Sequence, residues 1–188
     1  MRGFGDILTV ARESDVGLSK EQQTTLVADL DERLRRETDL ESVFSAQVPD
    51  WYGRLLSSLI LATGNAHVLY LSASYTLDGN AFALNAVLFT QNLYVRATVS
   101  AAEGTSDEQA EPVVTALART SLTSMRLSCD HNAFDDAAAS VWPGRIRVTL
   151  VFARDLAVSL PLGAARTEGG DAELHALVAT SRASLEHQ

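Results

Sequence analysis

The sequence predicts an α+β protein in which helices come first, antiparallel strands follow and one helix closes the chain. Three observations support this class. Apolar residues recur at helical spacing within the first 64 residues, and their period then changes to two over residues 67–162. A single amphipathic segment follows Gly169-Gly170-Asp171. Many strands followed by one terminal helix are typical of a small barrel or sandwich that the helix closes at one end.

The helical front is predicted to contain several segments. Ser19 and Gln22 resemble a capping box ahead of a helix whose apolar face is Leu26, Val27, Leu30 and Leu34. A second helix start is indicated at Thr38. Pro49 cannot lie inside a helix without breaking it, so it is expected to begin a third segment that ends at Gly64. The predicted division is a helical extension, residues 1–64, and a strand domain with its closing helix, residues 65–188.

About seven strands are expected after residue 66. The first two are joined by Asp78-Gly79, which is typical of a type I′ hairpin turn because both of its central residues need positive φ. Later strands are predicted over residues 113–117, 122–129, 146–152 and 156–160. In the second of these, Met125, Leu127 and Cys129 share a face that is expected to be buried.

Composition limits the function. The chain has 188 residues with 46% hydrophobic and 21% charged residues, which suits one folded domain. Its net charge of −9 argues against binding to nucleic acid or to phosphoinositide and other anionic membranes. Cys129 is the only cysteine, which excludes an intramolecular disulfide and a thiolate zinc site. No secretory signal is recognised, so a cytoplasmic protein is expected. Residues 55–77 are long enough to span a bilayer, but Gly64-Asn65 and several polar side chains argue against it.

The chemistry-bearing residues predict no reaction. His131 lies among acids that include Asp135 and Asp136, but the spacing matches no known metal motif, and a polar loop is the interpretation we prefer. Cys129 is two residues from His131, yet on a buried face its thiol would be inert. The acids of residues 103–111 are interpreted as solvated. The sequence therefore predicts no catalytic, cofactor-binding or metal site.

The number and order of the strands resemble those of bacterial pleckstrin-homology-like (PH-like) domains over residues 66–186. A second point of resemblance is Arg119-Thr120-Ser121-Leu122, where a polar link ends in an inward aliphatic residue. The resemblance implies a seven-stranded antiparallel barrel or sandwich capped by the C-terminal helix, serving as a binding or docking module. Phosphoinositide-binding members carry basic residues in the first strand loop. Here that loop, Leu77-Asp78-Gly79-Asn80, has none, so lipid binding is not expected.

The leading hypothesis is a non-enzymatic module that binds a protein partner or forms a homo-oligomer, either alone or as a subunit of a larger particle. Trp51, Tyr52 and Leu55 are the candidate interface residues, since such side chains anchor interfaces, and a core position for them is an equal alternative. The alternative function is a small-ligand-binding or enzymatic cone-shaped α+β fold of the NTF2-like or helix-grip kind. That fold requires an internal pocket lined by residues such as Tyr70, Asn85 and Tyr94.

Overall fold

A computed structural model describes residues 20–38, 40, 44, 48–102, 109–130, 145–163 and 168–186. Two helices, seven strands and a closing helix follow one another in this part of the chain: α1 Lys20–Thr38, α2 Asp50–Thr63, β1 Tyr70–Asp78, β2 Ala81–Phe89, β3 Leu93–Ala101, β4 Val113–Ala118, β5 Leu122–Cys129, β6 Ile146–Phe152, β7 Leu156–Leu160 and α3 Glu168–Glu186. The predicted α+β class and the predicted order of the elements are confirmed. His131, Asp135, Asp136 and the acids of residues 103–108 lie outside the described residues.

The strands form two antiparallel sheets. One has four strands in the order β1-β2-β3-β4, and the other has three in the order β5-β6-β7. A short 3-10 turn, Arg119–Ser121, leads from the first sheet to the second. Leu122, which follows this turn, is buried, as the sequence predicts.

The first hairpin forms where it is predicted, but its turn differs by one residue. Asp78 pairs with Ala81, so the two central residues are Gly79 and Asn80. Of these two, only Gly79 has a positive φ, 59°. A first central glycine is typical of a type II′ turn, whereas the predicted type I′ turn needs two residues at positive φ. The type I′ prediction is therefore wrong, because Asp78 is the last residue of the strand.

Both faces of the four-stranded sheet contribute to a hydrophobic core. Because side chains alternate along a strand, one set of residues faces α1 and α2 and the other faces the second sheet and α3. The first set belongs to one core cluster with residues of the helices: Leu71, Ala73, Leu84, Ala86, Leu88, Val95, Ala97 and Val99. The second set belongs to another cluster with residues of β5–β7 and α3: Tyr70, Val87, Phe89 and Tyr94. The fold is thus a stack in which the larger sheet is the middle layer.

Helices α1 and α2 lie where the sequence indicates. Thr38, the predicted start of a second helix, is instead the last residue of α1, and most of the segment that follows it, residues 39, 41–43 and 45–47, lies outside the described residues. Pro49 caps α2, and Gly64 ends it at a φ of 60° with its N–H bonded to the Ile60 carbonyl at 2.7 Å. In α1, Leu30 and Leu34 are buried, whereas Val27 of the predicted apolar face is 39% exposed. Within the described residues, no helix is both long and apolar enough to cross a bilayer.

The burial predicted for β5 is wrong, although its alternation is right. Met125, Leu127 and Cys129 pair with Leu150, Val148 and Ile146, so they share a face with buried residues. Leu127 is nevertheless 49% exposed, and Cys129 is exposed as well. The reason is that β5 lies at the edge of its sheet. Alternation determines which way a side chain points, and burial depends on what packs over it.

Candidate functional site

The three residues predicted for an interface lie in the core of the chain. Trp51, Tyr52 and Leu55 are only 2%, 1% and 0% exposed. Trp51 stacks on Phe82 of β2 with ring centroids 4.9 Å apart, so it joins α2 to the sheet. In this arrangement their side chains contact their own chain and present no surface to a partner. The front helices pack on the sheet of the same molecule.

Tyr52 is surrounded by aromatic and charged groups of the helical layer. Its ring is 5.0 Å from that of Phe44, and the Arg35 guanidinium lies 5.7 Å from its centroid. Arg35 is held by Asp31 through an N–O contact of 2.7 Å. Burial, followed by the nearby Asp31 carboxylate, raises the pKa of Tyr52 well above its ordinary value. Tyr52 therefore stays neutral and acts as a packing residue.

The residues predicted to line a pocket share one face of the four-stranded sheet. Tyr94 is fully buried and stacks on Phe152 at 4.5 Å, and Phe89 packs on it at 5.2 Å. Tyr70 is also buried, 6.1 Å from Phe89. Asn85 lies nearer the open half of this face and is half-buried. The two tyrosines thus fill the space between the sheets with stacked rings.

The structure describes no site around Cys129, and His131 lies outside the described residues. Cys129 is exposed at the end of β5. The ends of the loop that follows it are held together, because the Asp130 N–H donates to the Arg145 carbonyl at 3.1 Å and the Arg145 N–H donates to Asp130 Oδ1 at 2.7 Å. Across the described ranges, no group of three His, Cys, Asp or Glu side chains is placed to hold a metal ion.

One candidate recognition feature is the open edge of the four-stranded sheet. Its last strand, β4, is the six-residue segment Val-Val-Thr-Ala-Leu-Ala, and within the described residues it pairs only with β3. It contains no charged residue, and Val113 is 62% exposed. Natural edge strands usually carry charges, prolines or bulges that discourage pairing with another chain. An apolar, uncharged edge lacks these protections and is suited to pairing.

The opposite edge of the same sheet is more enclosed. Ser72 of β1 is fully buried, and its Oγ accepts a hydrogen bond from the Leu162 N–H at 2.9 Å, just beyond β7. Helices α1 and α3 both contact β1. Helix α2 contacts β4 as well, so the difference is one of degree, and it makes β4 the more open edge of the four-stranded sheet.

A groove lies beside the start of β4. It is lined by residues of α2 and of the segment before the strand: Asp50, Gly53, Arg54, Ser57, Ser58, Glu111 and Pro112. The Arg54 guanidinium donates to the Ala110 carbonyl at 2.9 Å, which fixes the helix to this segment. At four-residue spacing along α2, Gly53 and Ser57 are followed by Leu61, which is 85% exposed. The groove and this outward stripe extend the surface that begins with β4.

Sequence reasoning missed two buried arginines. Arg33 of α1 donates to the Val68 carbonyl at 2.9 Å and to Glu173 of α3 at 2.7 Å. Arg119 is 8% exposed and donates to the Thr90 carbonyl at 3.1 Å and to Thr180 Oγ1 at 3.0 Å. Desolvation lowers the pKa of Arg119. Periodicity gives no sign of either arginine, because each one bonds elements that are distant in sequence.

No family model, curated protein or solved structure matches the chain.

Proposed function

We propose that this chain is a non-enzymatic protein-binding or assembly module, and that β4 is its binding edge. The observation that carries the proposal is the uncharged open strand with Val113 62% exposed. The outer N–H and C=O groups of an edge strand can pair with an extended segment of another chain. The main chain then provides affinity, and the side chains on either face select the partner.

The arrangement of the strands supports a PH-like module. The sheets contain four and three strands in sequential order, the turn Arg119–Ser121 joins them, and α3 contacts both β1 and β5. This order supports the proposed seven-stranded sandwich capped by its C-terminal helix. The acidic β1–β2 turn, with Asp78 and no base, is unsuited to phosphoinositides. We place the module in the cytoplasm, where an exposed thiol such as Cys129 stays reduced.

A binding edge is favoured over an internal ligand site. Tyr94 stacks on Phe152 at 4.5 Å where a cone-shaped fold would hold its ligand. A ligand there would have to displace aromatic contacts that stabilise the inner faces of both sheets.

The test compares two lysine substitutions on exposed edge-strand residues. Thr115→Lys places a charge in the middle of β4, and Ala157→Lys does the same on β7 of the other sheet. Each variant and the wild type serve as bait in the source cell, and bound proteins, further copies of the chain included, are identified by mass spectrometry. We expect a specific protein to be retained by the wild type and by Ala157→Lys and reduced at least tenfold with Thr115→Lys.

Equal recovery with all three baits would overturn the proposed binding edge. Loss with Ala157→Lys alone would move the binding surface to the three-stranded sheet. Circular dichroism of each variant verifies that it is folded, and we expect both to fold because Thr115 and Ala157 are exposed.

A further inference from the structure

Resting on the proposed binding edge, we infer that its occupant is a second copy of this chain. Strand β4 of one molecule pairs antiparallel with β4 of another across a two-fold axis at Thr115. The two four-stranded sheets then join into one continuous sheet. Such an interface uses the same patch on both molecules, so the patch must be complementary to itself.

The two faces of the strand limit the possible registers. Residues directly opposite each other in a sheet point to the same face, so a two-fold pairing must match residues of like orientation. Val113, Thr115 and Leu117 pair with Thr98, Arg96 and Tyr94 and face the second sheet. Val114 and Ala116 face the helices, since Val114 packs on the helix-side core. With the axis at Thr115, each of these residues lies opposite a residue of the other molecule whose side chain points to the same face of the sheet.

This register gives favourable side-chain pairs along the strand. Thr115 lies opposite its own copy, Val113 opposite Leu117, and Val114 opposite Ala116. Cross-strand threonine pairs and apolar pairs both stabilise antiparallel sheets. The pairing also covers Val113, which is 62% exposed in the single chain.

The charges around β4 favour self-pairing even though the whole chain has a net charge of −9. Four charged residues at exposed positions border the strand within the described residues: Asp50, Arg54, Arg96 and Glu111. Two are acidic and two are basic, so the described part of this rim has no net charge. Two copies can approach here without the repulsion that the total charge produces elsewhere.

The contact must extend beyond the strand. A stable dimer buries about 800 Å² on each partner, more than six paired residues provide. Gly53 and Ser57 of α2 line the groove beside β4, and Leu61 continues their stripe along the helix, which supplies additional surface. Its small residues allow close approach, and Leu61, at 85% exposure, offers apolar area to bury. We therefore expect α2 of each molecule to contribute to the same interface.

The experiment is disulfide trapping in the full chain with Cys129 changed to Ser. In a two-fold antiparallel pair, the Cα atoms of Thr115 and its copy are about 4.5–5.5 Å apart, a separation that a disulfide spans. Thr115→Cys should therefore form a covalent dimer under mild oxidation. Val113→Cys is the matched control on the same face, because the two copies of Val113 are offset by about 13 Å along the strand. It should form at least tenfold less dimer.

Light scattering supplies the second measurement. The unmodified chain, of 20.2 kDa, should have twice that mass at micromolar concentration, and Thr115→Lys should return it to the monomer mass. A monomer at all concentrations, with no trapping at Thr115, overturns the second-copy inference. The capture test then separates the two proposals, since a different protein lost only with Thr115→Lys retains the binding edge with another occupant. Trapping at Val113 but not at Thr115 overturns the register.

Discussion

At the scale of single residues, the most informative group is the hydroxyl of Tyr94. It is buried and has no hydrogen-bond partner within the described part of the chain. A buried hydroxyl without a partner loses its bonds to water and gains none in return, which costs about 1–3 kcal/mol. Its ring, by contrast, stacks on Phe152 and packs at a tilt against Phe89. The ring of Tyr94 therefore stabilises the fold, whereas its hydroxyl destabilises it.

We predict that Tyr94→Phe raises the free energy of unfolding by about 1 kcal/mol, because it keeps the ring and removes the unpaired hydroxyl. Urea denaturation at pH 7 measures this change. Tyr52→Phe is the comparison, since that hydroxyl is also buried but lies close enough to the Asp31 carboxylate and the Arg35 guanidinium to interact with both. We expect a smaller gain there. A loss of stability in Tyr94→Phe would mean that its hydroxyl has a partner.

The same residue gives a pH dependence. Burial raises the pKa of Tyr94, against a smaller opposing effect of Arg96. Above the unfolded-state pKa of about 10, the folded protein therefore retains a proton that the unfolded chain has lost. Stability then falls as pH rises through this range. Tyr94→Phe removes that contribution, so its advantage over the wild type should grow above pH 10.

At the scale of elements, Arg119 holds together the β2–β3 turn, the corner between the sheets and α3. Its backbone N–H donates to the Asn92 carbonyl at 2.8 Å, while its guanidinium reaches Thr90 and Thr180. Thr90 is itself buried and closes its turn through bonds to Leu93. Loss of the guanidinium would leave a buried carbonyl without its donor. The fork of an arginine reaches both groups at once, which a lysine does not.

We predict that Arg119→Met lowers the free energy of unfolding by about 2–3 kcal/mol, since hydrogen bonds of a charged donor are lost and a buried acceptor is left unpaired. Arg119→Lys should recover only part of this loss. Arg126→Met, on an exposed residue of β5, is the control and should change stability by less than about 0.5 kcal/mol. Equal effects of the two methionine substitutions would show that Arg119 does not hold the corner.

The sequence predicts the positions of the helices and strands better than it predicts what packs against them. The change of period from helical to two places the strands, and Pro49 and Gly64 delimit α2. Patterning does not predict what covers each face. Cys129 points in the predicted direction and remains exposed, while Trp51 and Tyr52 are in the core. The sequence of β4 shows that the strand has no charge. It does not show that the strand lies at a sheet edge, because that depends on the order in which the strands pair.

At the scale of the whole molecule, the front helices form a layer of the fold. Their apolar side chains share one core cluster with the four-stranded sheet, in which Leu34, Leu55, Leu59, Leu84 and Leu88 are fully buried. Arg33 adds a polar tie from α1 to α3, with Val68 at the start of the sheet as its second acceptor. Loss of the helices would expose one entire face of the sheet to water. The physical expectation is therefore one cooperative unit, in contrast to the division at residue 64 that the change of period indicates.

Urea unfolding of the full chain tests whether the helices and the sheets unfold together. Trp51 and Trp142 are the two tryptophans. With Trp142 changed to Phe, the fluorescence of Trp51 reports the packing of α2 on the sheet, because its ring stacks on Phe82. The β-sheet component of the infrared amide I band reports the strands. We expect both signals to change at the same urea concentration. Arg33→Ala should lower both midpoints together, by about 2 kcal/mol in the free energy of unfolding, because the charged hydrogen bonds to Glu173 and Val68 are lost. If the Trp51 signal instead changes at lower urea while the strand signal persists, the helices unfold separately and residues 1–64 behave as an extension.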